Sequence, residues 1–169
     1  MKMAERAGAD CISIVVGWHE SRRGALGRDV PSDFWLPVAR RAKAALKIPV
    51  AFGPRFGSPL LAEKALAAGD IDLWEVCRPF LADPELLLKT RENRVEEIRP
   101  CLGELLCLAR MFRNLPYICA VNPRLGHEVE PEYDVRPAVV KKSVLIVGAG
   151  PAGLECAVIA ARRGHRVTI

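Results

Sequence analysis

The chain has 169 residues, about the size of one globular domain with room for a real core. Half of its residues are hydrophobic, 27% are charged, and Gly and Pro contribute 13 each, which excludes a disordered chain, a collagen-like repeat and a small disulfide scaffold. The net charge of +5 comes from bases interleaved with acids, as in Lys89-Thr90-Arg91-Glu92-Asn93-Arg94-Val95-Glu96-Glu97. That pattern, with few aromatics, reads as a solvated helix face and not as a nucleic-acid surface, while anionic cofactors suit it equally well.

At the start of the chain, Met1-Lys2-Met3-Ala4-Glu5-Arg6-Ala7 mixes charges and lacks an apolar run of signal length, so neither secretion nor membrane insertion is indicated and the cytoplasm is expected. In a reducing compartment the six cysteines are expected as thiols, metal ligands or cluster ligands and not as disulfides. Residues 11–16, 49–52 and 73–76 are short apolar runs without alternation, the pattern of parallel strands buried on both faces. Helical patterns separate them. One covers 34–46; another starts at Ser58-Pro59, an N-cap and first-turn proline, and runs to Ala68 before Gly69; Asp83-Pro84 opens a third over 85–89. The repeated strand–helix order predicts an α/β fold, a parallel sheet or (β/α) barrel with right-handed crossovers.

From 99 to 136 the character changes to cysteines, prolines and polar turns, read as an irregular connecting segment with a short helix near 105–112 and a linker over 131–142. A new unit begins at Ser143 with a strand over 143–147, a glycine turn, a helix to Arg163, then Gly164 and the opening of a strand at 166–169. Between that strand and helix, Val147-Gly148-Ala149-Gly150-Pro151-Ala152-Gly153 contains G-x-G-x-x-G in the context that makes the motif informative. Gly148 permits the tight turn, Gly150 lets backbone approach a pyrophosphate, and Gly153 lets the helix pack closely on the strand. The helix N-terminus supplies N–H groups and positive dipole to phosphate. No carboxylate follows at 166–169, where a ribose-binding acid belongs, so a ligand-free glycine turn is the competing reading.

Taken together, Gly17-Trp18-His19-Glu20, Cys77-Arg78-Pro79-Phe80-Leu81-Ala82-Asp83-Pro84, Glu97-Ile98-Arg99-Pro100-Cys101, Cys119-Ala120-Val121-Asn122-Pro123 and Gly148-Ala149-Gly150-Pro151-Ala152-Gly153 resemble, in this order, the NADH:flavin oxidoreductases of the Old Yellow Enzyme class. The likeness is to the long members typified by 2,4-dienoyl-CoA reductase and trimethylamine dehydrogenase, and it covers essentially the whole chain. It implies residues 1–99 as the C-terminal portion of an FMN-binding TIM (β/α)8 barrel, strands six to eight. Residues 100–142 become an iron–sulfur segment and linker, and 143–169 the start of a Rossmann-like FAD/NAD(P)-binding domain.

The resemblance also assigns roles. His19, at the rim where barrel active sites gather, is a candidate for proton transfer to substrate, against the plainer reading of a loop hydrogen-bonder. Gly53, Arg55, Cys77 and Arg78 are expected at the FMN phosphate, with Pro54 and Cys77 standing where the family has glycine; proline removes an N–H. Gly148, Gly150, Pro151, Ala152 and Gly153 are expected at FAD. The family's four-cysteine [4Fe–4S] pattern is met by Cys101, Cys107 and Cys119, with Glu104 in the second position. A carboxylate is a hard donor and a poor substitute for thiolate, so a three-iron, labile or absent cluster is an open outcome, as is zinc on Cys101, Cys107, Cys119 and His127. Cys11 and Cys156 read as core residues. The expected function is part of an oxidoreductase passing electrons from NAD(P)H through FAD and a cluster to FMN and on to an activated C=C bond of a small molecule such as an enoyl or dienoyl thioester. The alternatives are a non-catalytic truncated remnant and a zinc-dependent interaction module.

Overall fold

Three short parallel strands, β1 (Ile12–Ile14), β2 (Val50–Phe52) and β3 (Leu73–Trp74), lie side by side in sequence order. They belong to a computed structural model that describes residues 1–17 and 27–169. The chain divides into two units, Met1–Gly126 and His127–Ile169. In the first, α1 (Lys2–Arg6) precedes β1, α2 (Leu36–Ala45) lies between β1 and β2, and α3 (Pro59–Ala67) joins β2 to β3. Ile14, Phe52 and Trp74 fall in one register row and Ser13, Ala51 and Leu73 in the next. The first row packs with Leu36, Ala39 and Ala42 of α2 and Ala62 and Ala65 of α3, so both helices cover the same face of the sheet. Sequential strand order with helices on one face is the singly wound arrangement of consecutive βα units, unlike a doubly wound sheet.

Local chemistry explains the element ends. The Ser58 hydroxyl accepts the Leu61 N–H at 3.5 Å, Pro59 occupies the first turn, and Gly69 ends the helix region with φ +70°. Asp72, just before β3, accepts the Val50 N–H at 2.8 Å and Lys43 Nζ at 2.6 Å, tying the starts of two strands to α2. The bond from Lys43, followed by that from Val50, holds the Asp72 carboxyl below the usual carboxylate range.

Among the described strands only β2 is buried along its whole length. Strands β1 and β3 are edges, with Ser13 exposed and Leu73 52% exposed, which corrects the expectation that all three are buried on both faces. Beyond β3 the chain forms α4 (Arg78–Ala82), which the sequence reading did not anticipate, then α5 (Leu86–Arg91), a 3-10 turn at Val95–Glu97 and α6 (Leu106–Met111). Lys89, assigned to a solvated face, is buried: the chain folds back so that its ammonium meets Asp83.

The second unit is a βαβ element, β4 (Ser143–Leu145), α7 (Pro151–Arg162) and β5 (Arg166–Thr168), with the strands parallel. A 3-10 turn at Pro131–Tyr133 lies ahead of it, and Ala138 N–H donates to the Arg163 carbonyl. Cys11 and Cys156 are exposed, contrary to their reading as core residues, because Cys11 precedes the covered part of β1 and Cys156 lies on the open side of α7, whose buried residue is Ala157. All six cysteines are free thiols. Among the described residues no helix is long and apolar enough to cross a membrane.

Candidate functional site

Beyond the C-terminal ends of β1, β2 and β3 opens a cavity of about 400 Å³, in the size range of small-molecule sites. Its lining includes Gly53, Arg55, Cys77 and Arg78, so four residues separated by up to 25 positions in sequence and singled out from it converge on one space. Gly53, Arg55 and Cys77 come from the turns that leave β2 and β3, where backbone N–H groups are free of the sheet ladder, and Arg78 opens α4 directly after.

The loop after β2 is tight for identifiable reasons. A Cβ on Gly53 would collide with the Glu75 backbone carbonyl, so glycine lets the loops after β2 and β3 come together. Arg55 follows Pro54 with φ +56°, an uncommon left-handed conformation for a bulky residue. It is held there by the Phe56 N–H donating to the Gly53 carbonyl at 3.0 Å and by Arg55 Nε donating to the Val30 carbonyl at 2.9 Å. Trp74 Nε1 donates to the Phe56 carbonyl at 2.6 Å and closes the loop from the other side. Glu75, which the sequence reading did not single out, also lines the cavity and accepts a hydrogen bond from the Ser13 hydroxyl at 3.0 Å. Its position directly after a strand was the available signal. His19 lies outside the described residues.

A second, smaller cavity of about 30 Å³ is lined by Cys101, Glu104, Cys107 and Cys119, together with Arg78 and apolar residues of the same segment. The segment expected to carry a cluster therefore brings its three thiols and one carboxylate around one space. Arg78 and Cys101 line both cavities. Three thiols suit iron–sulfur chemistry and Glu104 adds a harder donor. Among the described residues no three His, Cys, Asp or Glu side chains are arranged to hold a single metal ion, and His127 is engaged by Glu130 at 2.9 Å and stacked on Tyr133, an arrangement that does not favour the zinc alternative.

The cysteine segment hangs on polar anchors. The fully buried Asp83 carboxylate accepts Lys89 Nζ at 2.7 Å, the Arg99 N–H at 3.0 Å and the Glu85 N–H at 3.0 Å. Burial pushes the Asp83 carboxyl up, but the bonds from Lys89, Arg99 and Glu85 outweigh it and hold the group below its ordinary range. The buried Asn122 donates from Nδ2 to the Leu81 carbonyl at 2.8 Å, and its Oδ1 accepts the Arg124 N–H at 3.2 Å and Arg99 Nη1 at 3.4 Å. In sequence Asp83 reads as a helix start signal and Asn122 as part of a polar turn, both within motifs that carry the resemblance and both before proline; their anchoring role is not legible there.

In the second unit the glycine fingerprint joins β4 to α7. Gly148 has φ +109°, and a Cβ on Gly153 would collide with the Gly148 carbonyl, so the helix approaches the turn as closely as backbone allows. Gly150 is the N-cap of the helix that begins at Pro151, with open space beside it where a pyrophosphate could approach. Ala152 lies in the first helical turn.

No family model matches the chain. It is 39% identical over 166 residues to a metal reductase of Desulforamulus reducens, an alignment covering 98% of this chain and 25% of that protein. It is 37% identical over 171 residues to an NADH oxidase of Thermoanaerobacter brockii, covering 99% of this chain and 26% of the relative. Among solved structures, a 2-naphthoyl-CoA reductase in complex with 2-naphthoyl-CoA superposes with a TM-score of 0.90 at 46% identity, over 97% of this chain and 25% of the other. The homologues are flavin-dependent oxidoreductases of α/β fold. The chain belongs to the NADH:flavin oxidoreductase family, and it spans about a quarter of the length of the relatives it matches.

Proposed function

We propose that the chain is a portion of a flavin-dependent oxidoreductase that moves electrons from NAD(P)H by way of FAD and an iron–sulfur cluster to FMN, and then to an activated C=C bond. The observation that carries this reading is the shared wall: Arg78 and Cys101 border both the cavity at the strand ends and the cavity of thiols. Gly53, Arg55, Cys77 and Arg78 would hold the FMN phosphate; Cys101, Cys107 and Cys119 would ligate the cluster; Gly148, Gly150, Pro151, Ala152 and Gly153 would carry FAD. When bound, the flavins accept and deliver hydride or single electrons and the cluster relays single electrons. His19 would move a proton to the substrate carbon.

The protein's own contribution is placement. Two guanidinium groups offset phosphate charge, the Gly53 close approach and the left-handed Arg55 present loop backbone to the ligand, and Arg78 keeps positive charge beside both cavities. The substrate class follows the naphthoyl-CoA relative: an unsaturated acyl thioester such as an enoyl or dienoyl-CoA. The sheet supports the barrel reading, because its parallel strands run in sequence order with both helices on one face, as for consecutive βα units of a barrel. The exposed edge-strand residues Ser13 and Leu73 favour a second reading, that this chain by itself does not turn over substrate. A cytoplasmic location suits the six free thiols.

The test is anaerobic reconstitution of the full chain with FMN, ferrous iron and sulfide, followed by gel filtration and a visible spectrum. Retained flavin and acid-labile sulfide are the expected result. A colourless chain carrying neither would overturn the assignment of both cavities.

A further inference from the structure

We infer that Asp83 and Asn122 are positioning residues that close the neck of the cysteine segment and thereby set the three thiols around their own cavity, which shares Arg78 and Cys101 with the cavity at the strand ends; the inference rests on the cluster reading above. The segment has no core of its own: from 101 to 121 Gly103 alone is buried, and α6 buries nothing. A stretch of this kind keeps one conformation only through what holds its ends.

Both ends are held by the same network. At the entry, Asp83 fixes the backbone N–H of Arg99, two residues before Cys101. At the exit, Asn122, three residues after Cys119, donates to the Leu81 carbonyl in α4. Arg99 joins the two, since its Nη1 donates to Asn122 Oδ1 at 3.4 Å and to the Val121 carbonyl at 3.5 Å. Lys89 completes the neck by neutralising the Asp83 carboxylate in a buried place. Midway, Gly103 with φ +72° lies so near Arg55 that a Cβ there would stand 2.9 Å from Nη1, which seats the loop against the residue that borders the larger cavity. The neck involves none of the thiols and none of the residues assigned to flavin. Its loss therefore acts on the relative placement of Cys101, Cys107 and Cys119 while leaving the strand-end loops intact.

The test compares the full chain with Asn122→Leu and the conservative Asn122→Asp, with Asp83→Asn as a variant at the other end. In the cofactor-free chain, alkylation of Cys101, Cys107 and Cys119 by iodoacetamide is followed by peptide mass spectrometry; after reconstitution with iron, sulfide and FMN, cluster absorbance is followed under a chelator. The expected result is faster alkylation and a loss of cluster retention of about 10- to 100-fold in Asn122→Leu, as for other residues that orient metal ligands. FMN binding by Asn122→Leu should stay close to the parent's, and Asn122→Asp, which keeps the acceptor for Arg99, should recover part of the retention. Unchanged alkylation and retention in both Asn122→Leu and Asp83→Asn would overturn the inference, as would loss of FMN binding in step with the cluster in Asn122→Leu. Failure of the unsubstituted chain to take up iron and sulfide would overturn the cluster reading and this inference with it; uptake with no effect of the variants would overturn the inference alone.

Discussion

Lys89 Nζ lies 2.7 Å from Asp83 Oδ2, with Asp83 fully buried and Lys89 only 8% exposed. A buried pair contributes little relative to a well-packed apolar replacement, but removal of one partner leaves the other charged and unsolvated. Lys89→Met is therefore expected to cost about 3–5 kcal/mol, read from urea unfolding. A cost no larger than that of an exposed ion pair would show that the buried network is not formed in solution.

Acid provides an independent reading of the same carboxylate. Asp83 and Asp72 both have carboxyl groups held below their ordinary range in the folded chain. Their stabilisation is fully present above the unfolded-state value of about 3.9 and is lost as pH falls through the lower folded-state values. The urea midpoint is expected to drop on the acid side of about pH 4, and Asp83→Asn should flatten that drop because one of the two titrations is gone.

Arg78 borders both cavities and is the residue whose change most directly tests the flavin assignment. Arg78→Ala is expected to weaken FMN binding by about 10- to 100-fold, the size of a lost charge-assisted hydrogen bond of about 1.5–3 kcal/mol. Fluorescence quenching of FMN on titration measures it. Binding unchanged by the substitution would remove Arg78 from the flavin site.

Gly153 cannot gain a Cβ without meeting the Gly148 carbonyl. Gly153→Ala is expected to destabilise the second unit by about 1–3 kcal/mol through overpacking and to abolish retention of FAD. Hydrogen exchange of α7 and β5 amides, with FAD retention on gel filtration, reports both effects; parent-like protection would refute the close approach.

Glu104 shares its cavity with three thiols. Glu104→Cys supplies soft sulfur in place of a hard oxygen donor, so the variant should take up more iron per chain and resist chelators longer than the parent. Iron and acid-labile sulfide assays on the two reconstituted proteins decide the matter, and equal stoichiometry and lifetime would show that position 104 does not reach the cluster.

The signals legible in the sequence were local ones. Ser58-Pro59 and Gly69 bracket α3 because an N-cap, a first-turn proline and a left-handed glycine act within a few residues of themselves. The apolar runs at β1 and β2 and the Gly148–Gly150–Gly153 spacing were readable for the same reason, and the paired motifs carried the family. Tertiary structure decided what depends on distant partners. Edge exposure of Ser13 and Leu73 follows from which strands have neighbours, not from the runs themselves. Burial of Lys89 depends on Asp83, and the Asp83 bond to Arg99 spans 16 residues that no periodicity connects. The length, composition and motif order of 169 residues thus determined the fold class and the chemistry of the donors. Only folding brought Arg78 and Cys101 to a common wall, because hydrogen bonds and packing between segments far apart in the chain choose which donors share a space.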